Sequence, residues 1–151
     1  MGLVKRHALR ASVGEVMEKK RVPKVRSGTP ITECIPFPFG RHHVWVVDAD
    51  DRVVGVVTEH DLLDFLTPPN KVSPVAMGVP KWFVLSDAPI DRIMTKKLVV
   101  TSASESVLDV VRKMKTYNIR RVPVVSDDGR LVGEVCISDI VRRYIKELSR
   151  S

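Results

Sequence analysis

Cysteine is nearly absent from this chain, with only Cys34 and Cys136 among 151 residues. They stand in no paired or metal-ligand spacing, which argues against a disulfide framework and fits a reducing compartment. Aromatic side chains are also scarce, at two tryptophans, two tyrosines and four phenylalanines. That leaves few stacking platforms for single-stranded nucleic acid. No apolar run approaches the roughly 20 residues of a membrane span. The opening MGLVKRHALR has a basic start but no apolar stretch behind it, and no Ser or Thr at the sixth position. Neither a secretory signal nor a myristoylation signal is expected. The expectation is a soluble, cytoplasmic protein. Glycine-rich phosphate loops, a serine elbow and paired histidines at helical ligand spacing are missing too. His42 and His43 are adjacent, and neighbours in a strand point to opposite faces, so no metal site is expected from them. No nucleophile–base set is visible, and the chain does not read as an enzyme.

What is present is a repeat. Residues 44–61, VWVVDADDRVVGVVTEHD, recur 78 positions later as residues 122–139, VPVVSDDGRLVGEVCISD, with nine of eighteen pairs identical and no gap. Low complexity cannot produce this match, which mixes apolar, acidic, basic and glycine positions. Duplicated units of this kind usually pack against each other, which directs attention to the space between copies. Half of the chain, at 44% apolar residues, would be marginal alone, so one domain of two halves is expected.

Charge is unevenly placed. Residues 1–67 hold 10 basic and 9 acidic side chains, whereas residues 68–151 hold 15 and 9, so almost all of the net +7 lies in the later half. Solubility explains part of this excess; an anionic ligand or partner for the second half would explain the rest.

Each copy begins with a short helical signal ending in Met, Val13–Met17 and Ile90–Met94. In the second copy a strand at Leu98–Val100 is predicted. The spacing of Ser102 and Glu105 then predicts a capping box, ahead of an apolar stripe of Val107, Leu108, Val110, Val111, Met114 and Tyr117. Asn118 reads as the helix stop. Two β-branched runs, Val122–Val125 and Leu131–Cys136, flank the hairpin signal Asp128-Gly129. Ser138-Asp139 opens a last helix, Ile140 to about Leu148. The order is β-α-β-β-α, and consecutive valines predict sheets covered on both faces. In the first copy Thr29-Pro30 begins a helix with Pro at its first position. Pro36 and Pro38 should stop it after little more than a turn, with Phe37 and Phe39 replacing the missing face. The proline-rich residues 68–89 link copies at 13–67 and 90–148, with Trp82–Leu85 expected to pack back on the core.

The chemistry concentrates where a strand runs into a helix: Gly55-Val-Val-Thr58-Glu-His-Asp61 and Gly133-Glu-Val-Cys136-Ile-Ser138-Asp139. Helix N-termini favour anions, and an ionised Asp can accept from both hydroxyls of a ribose. The plain alternative is that Ser, Thr and Asp are ordinary helix caps.

The duplicated unit, its hairpin and the closing Gly-x-x-Thr-x-x-Asp pattern resemble paired CBS domains over about residues 13–148. The resemblance implies an α/β (α+β) fold of two CBS motifs packed with pseudo-twofold symmetry. It further implies clefts for adenosine-containing ligands such as AMP, ADP, ATP or S-adenosylmethionine, and frequent assembly into homodimers. It assigns the ribose to Asp61 and Asp139 and the hydroxyl position to Thr58, where the second copy departs with Cys136. Ser138 would contact phosphate. Base and phosphate would meet Ile119, Arg120 and Arg121, followed by Val122 and Pro123, in the second copy, and Arg41, His42 and His43 in the first. Thr101, and Ser27 in the first copy, would line the adenine side. Glu134, at a normally apolar position, and Trp45, in place of proline, also depart from the family pattern.

The leading expectation is therefore a regulatory sensor that binds an adenine nucleotide, requires no cofactor and modulates an unknown partner protein. A nucleic-acid module using the basic second half stands second, and a dimerisation module with empty clefts third.

Overall fold

The computed structural model describes residues 9–66 and 87–150. Most of the basic arm and of the link between the copies, with Trp82–Leu85, lies outside these residues. Among them run α1 (Val13–Val16), β1 (Lys24–Arg26), α2 (Ile31–Cys34), β2 (His43–Val47), β3 (Val53–Thr58) and α3 (Glu59–Leu66). Then follow α4 (Val107–Tyr117), β4 (Arg121–Val125), β5 (Leu131–Cys136) and α5 (Ile137–Arg150). No helix among the described residues is long and apolar enough to cross a membrane.

The mixed α/β class is as expected, but the chain is divided differently from its repeats. One compact unit joins the residues up to Val22 with those from Val99 onward, and the other runs from Pro23 to Leu98. Each copy's opening segment therefore packs on the other copy's hairpin. Glu18 pairs with Glu134 through reciprocal backbone bonds of 2.9 and 3.0 Å, and Thr95 pairs with Val56 through bonds of 2.8 and 3.0 Å. Val13 and Ile90, the first apolar residue of each segment, are fully buried in their host cores. Burying one such side chain contributes roughly 1.5–3 kcal/mol.

The two glycines of the repeat make this exchange sterically possible. A Cβ on Gly133 would lie 2.8 Å from the carbonyl oxygen of Glu18 and 3.0 Å from Met17 Sδ. A Cβ on Gly55 would lie 2.5 Å from Met94 Sδ. The terminal Met of each opening segment thus rests where a side chain would otherwise stand.

The hairpins match closely. β2 and β3 pair antiparallel, as do β4 and β5, and the register shifts at corresponding places, Val46/Val47 and Val124/Val125. Gly129 takes the left-handed conformation at φ +84°, and Asp51 takes it in the other turn at φ 62°. Asp is one of the few residues with a side chain that enters this region readily. Every residue of β2 is buried, as its consecutive apolar positions imply.

Several local expectations need correction. The strand expected at Leu98–Val100 is reduced to one parallel bridge between Thr101 and Val124. The first copy instead has a true strand, β1, parallel to β2. The cap of α4 is Ser106, whose Oγ accepts from the Asp109 N–H at 3.1 Å, not the Ser102–Glu105 pair. Ser102 bonds Ser104, and Glu105 pairs with Lys113 at 2.7 Å. The helix buries Val107, Val110 and Met114, while Tyr117 is exposed. Asn118 does end it, in the left-handed conformation. Helix α5 starts earlier than expected, at Ile137. In the first copy α2 has only four residues and Pro30 is its N-cap, not its first helical residue. Phe37 joins the core beside it, but Phe39 is exposed.

Overpacking a tight core contact costs about 1–3 kcal/mol. The obstacle at Gly133 is backbone, whereas at Gly55 it is a flexible thioether. Urea denaturation should therefore show Gly133→Ala destabilised by about that amount, and Gly55→Ala by less.

Candidate functional site

In the unit holding the second hairpin, β5 passes directly into α5 with Cys136 at the junction. The Asp139 carboxylate folds back, and its Oδ2 accepts the Cys136 N–H at 3.0 Å. This is one half of a capping box, in which the third helical residue satisfies the backbone before the helix. Its Oδ1 lies 3.5 Å from the Arg142 guanidinium, a mostly exposed side chain one turn along. The Ile137 N–H donates to the Arg120 carbonyl at 2.9 Å, which fixes the start of β4 against the helix N-terminus. Arg121 faces Cys136 across the hairpin. The Thr101 N–H donates to the Pro123 carbonyl at 3.1 Å, and the Val125 N–H donates to the Thr101 carbonyl at 2.8 Å.

Arg120, Arg121, Cys136, Ser138 and Asp139 thus stand at one strand–helix junction, while Thr101 is tied to Pro123 and Val125 further along β4 and Val122 packs in the core. Their accessibilities differ. Arg120 and Ser138 are exposed, Ile119, Arg121, Cys136 and Asp139 are half-buried, and Thr101, Val122 and Pro123 are buried. Glu134 is also completely buried.

The first hairpin's unit builds the same junction with different partners. Asp61 Oδ2 accepts both the Thr58 N–H at 2.8 Å and the Thr58 hydroxyl at 3.2 Å. Its Oδ1 accepts the Thr95 hydroxyl at 3.1 Å. His42 is exposed and pairs with Glu59 at 2.7 Å. His43 is buried, edge-on to Trp45 with ring centroids 5.4 Å apart. His42 stands in the bend before β2, whereas His43 is the first residue of that strand. Ser27 donates to Asp91 Oδ2, while the Gly28 N–H donates to Asp91 Oδ1 at 2.7 Å. Ser27 therefore holds the opening segment of the second copy, a role that sequence reasoning missed.

Thr95, Glu18 and Asp91 were not among the candidate residues. The signal available was the echo of Val13–Met17 in Ile90–Met94, which places Glu18 and Thr95 at matching positions. It could not show that each segment docks on the other copy's hairpin.

The CBS domain model matches residues 13–68 and 90–146. This chain belongs to the CBS domain family. Among relatives, it is 32% identical over 103 residues to L-aspartate semialdehyde sulfurtransferase of Methanocaldococcus jannaschii, a match covering 68% of this chain and 17% of that protein. The chain thus spans less than a fifth of that relative's length. Among solved structures, it resembles the CBS domain pair of protein MJ0100 in complex with 5′-methylthioadenosine and S-adenosyl-L-methionine. That likeness has 27% identity, a TM-score of 0.67 and coverage of 91% of this chain and 98% of the other. The fold also matches CBSX2 in complex with AMP, at 22% identity and TM-score 0.70, covering 90% and 97%.

Among the described residues, Cys34 and Asp91 are shifted from their ordinary titration. Burial, and secondarily the nearby Glu33 charge, push the Cys34 thiol up to about 11, which suits a thiol packed in the core. The Ser27 hydroxyl, with help from the Gly28 N–H, holds Asp91 below its ordinary value near 3.8. A carboxylate with a depressed folded-state pKa contributes stability above its unfolded pKa and loses it as pH falls through the folded value. Thermal melting from pH 6 down to pH 2 should therefore show a shallower acid-side loss in Asp91→Asn than in the parent, with the difference confined to pH below about 4.

Proposed function

We propose that this CBS chain is a non-catalytic regulatory module that binds an adenine nucleotide at the junction of β5 and α5. The observation that carries the reading is the state of Asp139. Its carboxylate is oriented by the Cys136 N–H on one oxygen, while the other lies 3.5 Å from a largely exposed guanidinium, that of Arg142. A carboxylate offers about four acceptor positions, so this one is held in place with capacity left for the two hydroxyls of a ribose. Arg120 and Arg121 stand at the same junction, and guanidinium forks suit phosphate oxygens. The adenosine-containing ligands of the 27%-identical CBS domain pair support the ligand class; the two arginines favour a phosphorylated member, AMP, ADP or ATP.

In this reading the protein works in the cytoplasm as a homodimer. Ligand binding shifts a conformational equilibrium that a partner protein reads, by no more than the ligand's differential affinity for the two states. An exposed row on α5, Ile137, Val141 and Ile145, repeats every four residues on one helix face and supports self-association. Sedimentation should show Ile145→Lys shifted from dimer to monomer.

The ligand assignment is tested by calorimetry with AMP, ADP, ATP and S-adenosylmethionine at two salt concentrations. Asp139→Ala removes one or two charge-assisted bonds of about 1.5–3 kcal/mol each, so affinity should fall at least roughly tenfold. AMP should likewise lose affinity on removal of its 2′-hydroxyl. Unchanged titrations in both cases would refute the ribose contact. Binding of a short RNA that falls steeply with salt, with no response to AMP, would favour the nucleic-acid alternative.

A further inference from the structure

We infer that α5 of one copy docks on α3 of a second copy, so that this chain self-associates through unlike helices, the basic row of α5 facing the acidic row of α3. This inference rests on the self-association reading above and names the surface that receives α5.

The two helices are matched elements of the repeat. Leu63 and Val141, and Asp64 and Arg142, correspond at the same offset of 78 positions. Both helices leave apolar side chains uncovered. Leu63, Leu66 and Ile145 are each 59% exposed, and Ile137 and Val141 are exposed on the same face as Ile145. Side chains three and four apart are neighbours on a helix, so each helix presents an apolar row to solvent. An uncovered apolar row rimmed by charge is the usual form of an interaction surface.

The charged rows beside them have opposite sign. On α5 the positions following the apolar row hold Arg142, Lys146 and Arg150, all exposed. Arg143 does not join them, because it turns to Glu147 at 3.0 Å and to Glu15 at 4.0 Å. On α3 the residue matching Arg142 is Asp64, exposed and 3.9 Å from His60 Nε2. Glu59, one turn before Leu63, is exposed as well, and α3 contains no lysine or arginine. One helix is acidic where the other is basic.

This difference in sign selects the pairing. Joining α5 to its own copy about a twofold axis would bring Arg142 and Lys146 against their counterparts. Joining α3 to its own copy would oppose two Asp64 carboxylates. Like charges juxtaposed across an interface suppress the wrong partner, and charged rows beside an apolar seam set partner choice between paired helices. Docking α5 on α3 covers Ile137, Val141 and Ile145 with Leu63 and Leu66, and turns Arg142 and Lys146 toward Asp64 and Glu59.

Sedimentation of the whole chain over a range of concentrations tests the pairing. Asp64→Lys should weaken the dimer at least roughly tenfold, and so should the double reversal Arg142→Glu with Lys146→Glu. All three changes in one chain restore opposite signs and should return the affinity to near that of the parent. Like-helix pairing predicts otherwise, since each reversal would replace one pair of like charges by another and change little. Salt separates the two arrangements again. A rise from about 0.05 to about 0.5 M should loosen the parent dimer, because screening weakens attraction between exposed opposite charges. Melting temperatures confirm that each variant is folded.

A parent dimer that Ile145→Lys dissociates but the charge reversals leave unaltered would overturn the inference while leaving self-association intact. So would reversals with no rescue in the triple variant, or a dimer that tightens with salt. A parent that stays monomeric would overturn both, and its retention on anionic phospholipid vesicles would assign the basic face of α5 to a lipid surface instead.

Discussion

The contact between a methionine and a glycine, made twice, is the constraint on which the rest of this structure depends. Met17 lies over Gly133 and Met94 over Gly55, where an added β-carbon would collide with the Glu18 carbonyl oxygen in the first case and with the Met94 thioether in the second. These contacts seat the opening segment of one repeat on the hairpin of the other. The backbone bridges at Glu18–Glu134 and Thr95–Val56 then complete each outer strand. Burial of Val13 and Ile90 adds the apolar gain. Neither repeat is therefore a self-contained unit, and the residues beside each helix N-terminus come from two distant parts of the chain.

This exchange also explains how hairpins of matching register end in unlike junctions. The Asp at the third helical position serves both junctions as a cap, which is the ordinary structural use of such a residue. The ligand reading turns on what remains after the cap is made. A carboxylate oriented by a backbone N–H is a prepared acceptor. The first junction differs in the Thr58 and Thr95 hydroxyls that bond Asp61.

Much of the fold was legible because it is set over short separations. The Asp128-Gly129 turn, the end of α4 at Asn118 and the early stop of α2 before Pro36 follow from local backbone preference. The errors were local too. Ser102–Glu105 and Ser106–Asp109 offer the same spacing four residues apart, and the pattern alone does not choose between them. The choice falls to the depth at which Val107 and Val110 enter the core, with Glu105 drawn off by Lys113. Ser27 likewise resembled a ligand contact in sequence, but its hydroxyl is taken by Asp91, 64 residues away.

The sequence by itself determined the duplication, both hairpins, the strand-to-helix junctions and the two aspartates that close them, because these depend on turn chemistry and side-chain periodicity within a few residues. Only the tertiary structure decided which opening segment meets which hairpin. It thereby decided that a hydroxyl 34 residues beyond Asp61 bonds that carboxylate, while the matching Glu18 side chain accepts from Lys20 and Arg21 of its own segment. That outcome depends on steric fit at two glycines and on the exchange of segments between repeats. Neither leaves a periodic trace in the chain.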